Sequence, residues 1–163
     1  MAARQAPEPG VRYLLDLFVN TDLEHDVRAG ALNDPSIPIS IVHCFIRSLA
    51  PEVRDVALTL TSRSSVLAEW AAIGTVVERT VVAFNPYTPQ AALRRLAADP
   101  EASVRMQLPF NPATPPDVLA QLVLDSSPEV QDALAVAFDT DAGHALRRGQ
   151  RSAERDRESD GHV

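Results

Sequence analysis

The sequence predicts an all-α fold, a solenoid of about five two-helix repeats, and three observations predict it. Large aliphatic residues return every 26 positions through most of the chain, Gly, Ser or Thr stands five residues before each of them, and Asn or Pro closes the intervening segment. A fixed period of this size marks a repeat architecture in which each unit buries its apolar face against the next.

The first helix of each repeat follows from two apolar columns. Leu15, Ile41, Leu67, Leu93 and Leu119 form one, and Phe18, Cys44, Trp70, Leu96 and Leu122 form the other, three residues further on. Positions three apart share a helix face, so both columns point into the core. Cys44 is then a small buried hydrophobe, and the Trp70 indole N–H needs an acceptor. Gly10, Ser36, Ser62, Thr88 and Thr114 fall where an N-cap is expected, with Pro89 and Pro115 at the first helical position. These helices should start near residues 11, 37, 63, 89 and 115.

The second helix is shorter. Small residues anchor it at Ala31, Ala57, Ala83, Pro109 and Ala135, with Leu32, Leu58, Phe84, Phe110 and Val136 filling the core beside them. Asn33, Asn85 and Asn111 close it, and Pro35, Pro86 and Pro112 prevent its continuation. Residues 60–63 lack this proline punctuation, which makes the second repeat the most divergent. Thr140 continues the cap column, and Ala142, Ala145 and Leu146 predict a partial sixth helix that caps the stack. The expected organisation is a disordered segment over 1–9, the solenoid over 10–142, and over 143–163 the rest of the cap followed by a charged, disordered tail.

Asn85-Pro86-Tyr87-Thr88-Pro89, Asn111-Pro112-Ala113-Thr114-Pro115-Pro116, and Leu93 to Pro100 followed by Val104-Arg105 resemble the variant leucine-rich repeat (LRV) signature. The resemblance is clear over residues 79–135, and it implies a HEAT-like, right-handed α-solenoid whose second helices are short and often 3₁₀. One member of that family carries an iron-sulfur domain. This chain has a single cysteine, so that activity does not carry over.

Charge and composition bound the function. A net charge of −7 argues against general affinity for nucleic acid or anionic membrane, and residues 1–143 alone hold 10 Arg against 18 acidic groups. All 15 basic residues are arginine, which fits a GC-rich bacterial genome. One cysteine builds no intrachain disulfide, and a reducing cytoplasm is the expected compartment. No export signal or membrane span is read in the sequence.

Val27-Arg28, Val53-Arg54 and Val104-Arg105, with Arg79 in a related place, stack guanidinium groups into a ladder that slips by one position between the second and fourth repeats. Such a ladder either binds phosphates or carboxylates from outside or pairs internally, with Asp99 meeting Arg105 as in the Asp and Arg ladder of HEAT repeats. Internal pairing is the expected outcome. His25 and His43 lack metal spacing, His144 and His162 are expected in solvent, and the acidic groups at Asp22, Glu24, Asp26, Asp139 and Asp141 read as solvated caps and turns. No catalytic residue, metal or cofactor is expected.

These readings converge on a non-enzymatic module or accessory scaffold that binds another protein or a peptide segment. The second-helix residues off the apolar columns, Arg28, Arg54, Asp55, Arg79, Arg105, Met106 and Gln107, are the candidate contact surface. Two alternatives stand beside it: a nucleic-acid-binding protein of the HEAT-like DNA glycosylase kind, and an accessory subunit of a neighbouring enzyme. Oligomeric state is left open.

Overall fold

The computed structural model describes residues 9–19 and 25–138. Among them are ten α-helices and one 3₁₀ turn, with no strand. The helices are α1 (Pro9–Val19), α2 (His25–Asn33), α3 (Ile39–Ser48), α4 (Pro51–Leu60), α5 (Ser64–Ile73), α6 (Val76–Phe84), α7 (Gln90–Leu96), α8 (Ala102–Arg105), α9 (Pro116–Val123) and α10 (Pro128–Ala137). The 3₁₀ turn, Leu108–Phe110, continues α8 after a short break. The expected tails, apart from Pro9, which begins α1, the capping helix after Thr140, Asp22, Glu24, Asp139, Asp141, His144 and His162 lie outside the described residues, as do the side chains of Phe18, His25 and Asp26. The backbone of His25 begins α2.

Contacts run between elements near in sequence. Odd-numbered helices meet as α1 with α3 and α5 with α7; even-numbered helices meet in the succession α2, α4, α6, α8 and α10. One apolar core runs through them from Leu14 to Val130. No helix among the described residues is long and apolar enough to cross a membrane.

The core corrects the sequence register. Leu67, Leu93, Leu96 and Leu122 are fully buried as expected, but in α3 the buried residues are Val42, Phe45 and Ile46, while Ile41 is half-buried and Cys44 is exposed. Val118 similarly replaces Leu119, and Leu14 replaces Leu15. Passing from Val42 to Leu67 and from Phe45 to Trp70 takes 25 residues, whereas Leu67 to Leu93 and Trp70 to Leu96 takes 26. The spacing between buried positions is therefore not constant from one helix pair to the next. In the second helices, Leu32 and Leu58 are buried, but Phe84, Phe110 and Val136 are exposed, and Val82, Ala83 and Leu108 occupy the core.

The cap column is corrected as well. Pro38, Arg63, Pro89 and Pro115 are the residues preceding α3, α5, α7 and α9, and none makes a side-chain cap bond. Gly10 lies inside α1. The hydroxyls of Thr88 and Thr114 instead donate to the carbonyls of Val82 (2.6 Å) and Leu108 (2.7 Å), tying down the end of the preceding helix or 3₁₀ turn. One full capping box does occur, at α6. Thr75 Oγ1 accepts from Glu78 N, and the Glu78 carboxylate accepts from Thr75 N. Gly74 makes the turn before it possible, since a Cβ there would sit 2.6 Å from the Trp70 carbonyl oxygen.

The asparagines close the second helices and also join neighbouring pairs. Asn85 Nδ2 donates to the carbonyls of Leu58 (2.8 Å), Thr59 (3.2 Å) and Thr61 (2.9 Å), and its Oδ1 accepts from Tyr87 N (2.8 Å). Asn111 reaches Ala83 and Asn85 in the same way and accepts from Ala113 N. Asn33 points forward instead, to Leu60 O and Ser62 N. The reason is Thr59, which stands where a 26-residue step from Asn33 would put another asparagine. The end of α4 lacks its own amide and is served from both sides.

Candidate interaction surface

Three arginines on the even-numbered helices form a continuous ladder of ion pairs, each reaching the next helix pair. Arg54 on α4 pairs with Glu78 (2.6 Å), Arg79 on α6 with Asp99 (2.6 and 3.0 Å), and Arg105 on α8 with Asp125 (2.7 and 2.9 Å). The two aspartate pairs are bidentate, the geometry that suits a planar guanidinium best. Remaining N–H groups turn inward: Arg54 donates to the carbonyls of Ile46, Arg47 and Leu49, Arg79 to Gly74, and Arg105 to Asp99 and Pro100. The Arg54 guanidinium also lies 5.1 Å from the Trp70 ring centroid.

The expected Asp99 to Arg105 pair is thus corrected. Arg105 takes the backbone carbonyl of Asp99, while the Asp99 carboxylate belongs to Arg79 of the preceding pair. Asp99 and Asp125 also accept from the backbone N–H two residues on, at Glu101 and Ser127, which aims each carboxylate at its arginine.

Electrostatics follows this geometry. Burial of Glu78 and Asp99 opposes their ionisation, but the arginine bonds, the backbone N–H bonds and the nearby positive charge outweigh it and hold both below the ordinary carboxylate range. Asp125 is lowered chiefly by its bond from Arg105. Hydrogen bonding to their aspartates in turn raises Arg79 and Arg105. The carboxylate side chains of the three pairs are 3–9% exposed and the arginines 12–18%, so the ladder is largely internal.

Other candidates are placed less centrally. His43 Nδ1 and Arg47 both meet Glu69 of α5, and Arg94 pairs with Asp117 at the surface. Cys44 is exposed on α3. The Trp70 indole N–H is buried and meets no acceptor among the described residues, contrary to expectation, its ring being held by apolar neighbours and by Arg54. No group of three or more metal-ligating side chains forms among the described residues.

No family model, curated protein or solved structure matches this chain.

The even-numbered face also carries exposed large apolar side chains. Val56, Val77, Phe84, Phe110 and Val136 are exposed there, with Phe84, Phe110 and Val136 at successive 26-residue steps. A groove of about 290 Å³ crosses it, lined by Thr59, Thr80, Val81, Phe84, Asn85, Pro86 and Gln107. Of the residues singled out from sequence, the structure gathers Arg54, Arg79 and Arg105 into the ladder and puts Gln107 on the groove; Asp55 lies one turn before Thr59 on α4, and Met106 is half-buried beside Gln107. Arg28, half-buried on α2, stands apart from the groove lining. Sequence reasoning missed Phe84, Phe110 and Val136 as surface residues, because a large apolar side chain on a helix carries no mark of which way it turns.

Proposed function

We propose that the chain is a non-enzymatic binding module, a right-handed LRV- and HEAT-like α-solenoid whose second helices offer one continuous face to another protein or a peptide. The observation that carries this reading is the division of labour on that face. Arg54, Arg79 and Arg105 are engaged in holding helix pairs together, while uncharged apolar side chains, Phe84 and Phe110 foremost, are left outward in register. An aligned apolar stripe on a water-exposed surface is a feature of interaction sites. The internal pairing of these arginines also supports a protein partner over nucleic acid, since phosphates would have to displace Glu78, Asp99 and Asp125 to reach them.

Asp55, Met106 and Gln107 remain candidate contacts, joined by the apolar stripe, while Arg54, Arg79 and Arg105 act through the stiffness of the face. A photoreactive amino acid at Gln107, compared with one at exposed Arg95 on α7, tests the reading in extract from the native host. The proposal expects a discrete crosslinked protein from position 107 and none from 95. Crosslinking from 95 alone would put the binding face on the opposite row.

A further inference from the structure

The last helix pair leaves one side uncovered. Leu93 and Ala97 in α7 are buried, and so are Leu67 and Ala71 in α5, but the residues 26 positions on from α7, Leu119 and Val123 in α9, are only half-buried. Val118 and Leu122 on the same helix stay buried, so the exposure is confined to one side of it. The even-numbered row shows the same difference: Leu108 and Pro109 are buried, while Leu134 and Ala135 of α10 are half-buried. Between inner pairs this cover comes from the next pair. We infer that residues 140–146 of this chain dock on the uncovered side of α9 and α10 and close the stack there, whatever the outward stripe binds.

The threonine column points to that segment as the occupant. Thr88 Oγ1 donates to Val82 O and Thr114 Oγ1 to Leu108 O, each six residues back. Thr140 is the next member of the column, and six residues before it stands Leu134, on the uncovered side. The Leu134 carbonyl accepts one backbone N–H, from Phe138, as Leu108 O accepts one from Asn111, which leaves a lone pair for a hydroxyl. Beyond this anchor Ala142, Ala145 and Leu146 are spaced to share one helix face, the apolar surface that the half-buried leucines and valine call for. A segment tethered directly to the end of α10 also meets this side at an effective concentration of about millimolar, so a small contact suffices.

The arginine ladder argues against a second copy stacked on the same side. Gln131 stands 26 residues after Arg105 and repeats only its inward bond, donating to Asp125 O as Arg105 donates to Asp99 O. Helix α10 contains no arginine to reach a further pair, and Arg151, not an acid, falls 26 residues after Asp125. A unit joined as the inner pairs are joined finds no ion pair here. A single helix held by apolar contact needs none.

The test is hydrogen exchange of the full chain, read by mass spectrometry, in wild type, Leu146→Asp and Leu119→Asp. In wild type the amides of residues 142–147 should exchange about tenfold more slowly than in an unstructured peptide of the same sequence, because burying one leucine side chain shifts an equilibrium by about that factor. Each aspartate should abolish that protection and leave α5 to α7 as protected as before, and the effect of Leu119→Asp puts the contact on α9. Should circular dichroism show that Leu119→Asp has lost the fold, Leu146→Asp locates the contact by itself, since it should also speed exchange in α9 and α10 but not in α5 to α7. Exchange of residues 142–147 at the unstructured rate in wild type would overturn the inference, and so would protection that survives both substitutions. A dimer in sedimentation that Leu119→Asp dissociates, with residues 142–147 unprotected, would assign this side to a second copy and sink the proposal. Crosslinking from position 107 reads the binding face separately, so either idea can fail without the other.

Discussion

Replacing Asn85 with alanine tests the most concentrated set of bonds in the structure. The side chain is 2% exposed and joins the end of α4 to the turn after α6. Alanine removes the donors to Leu58 O, Thr59 O and Thr61 O and the acceptor for Tyr87 N. Two of the carbonyls, at 2.8 and 2.9 Å, accept full bonds, while the third at 3.2 Å shares a hydrogen. Leaving a buried polar group without a partner costs about 1–3 kcal/mol, and two carbonyls and one N–H are stranded. Water reaches the half-exposed Tyr87 end, so the low end of the range applies, and the sum is about 4 kcal/mol. That is a large part of the 5–15 kcal/mol by which a domain of this size is stable. Urea unfolding, followed by helical circular dichroism and by the emission of Trp70, the sole tryptophan, reads the change directly. Asn33→Ala is the control. Asn33 is half-buried and makes one bond of each kind, so about 2 kcal/mol, the low end for two stranded groups, is expected there. If Asn85→Ala cost less than Asn33→Ala, the asparagine bonds would not be what joins the helix pairs.

Three further outcomes follow from the same structure. Arg79→Ala strands the Asp99 carboxylate, which is 6% exposed, and should cost about 3 kcal/mol; a double-mutant cycle with Asp99→Ala should show strong coupling, and additive losses would refute the pairing. Because Glu78, Asp99 and Asp125 all titrate below their ordinary values, the unfolded chain takes up protons before the folded one as pH falls. The melting temperature should therefore hold from neutrality to about pH 5 and decline as pH drops through the folded values; a decline starting near pH 7 would contradict it. Cys44, being exposed, should react with a thiol reagent such as dithionitrobenzoate in the native protein, without denaturant and at a rate close to that of the unfolded chain. A thiol silent until denaturation would place it back in the core.

Much of this architecture was legible in the residues, and the parts that were not share a cause. Asn85-Pro86 and Asn111-Pro112 mark helix ends because the amide can serve free carbonyls and proline stops the helix, and both asparagines do sit there. The shift of the buried positions in α3 was hidden because Ile41-Val42 and Cys44-Phe45 are adjacent pairs of apolar side chains. A column drawn through either member looks like core. The exposure of Phe84 has the same origin, since Val82 and Ala83 fill the core before it and only packing decides which residue turns out. For the arginine ladder the residue types were readable, but sequence spacing gives no distance between helix pairs, so Asp99 was joined to the nearer Arg105 instead of the more distant Arg79. The capping box at Thr75-Val76-Val77-Glu78 could have been found by its spacing alone, and Glu78 with it as the arginine's partner.

The position of proline after Asn85 and Asn111 also governs how the protein ages. An asparagine side chain is ordinarily lost when the backbone nitrogen of the following residue attacks its carbonyl carbon, closes a five-membered imide and expels ammonia. Pro86 and Pro112 have no N–H with which to do so, and the route is closed at both positions. Asn33 is followed by Asp34, whose nitrogen is free of that restriction. The two amides bound to the carbonyls of the preceding helix pair are chemically durable, and deamidation at Asn33 would release only the forward bond to the end of α4.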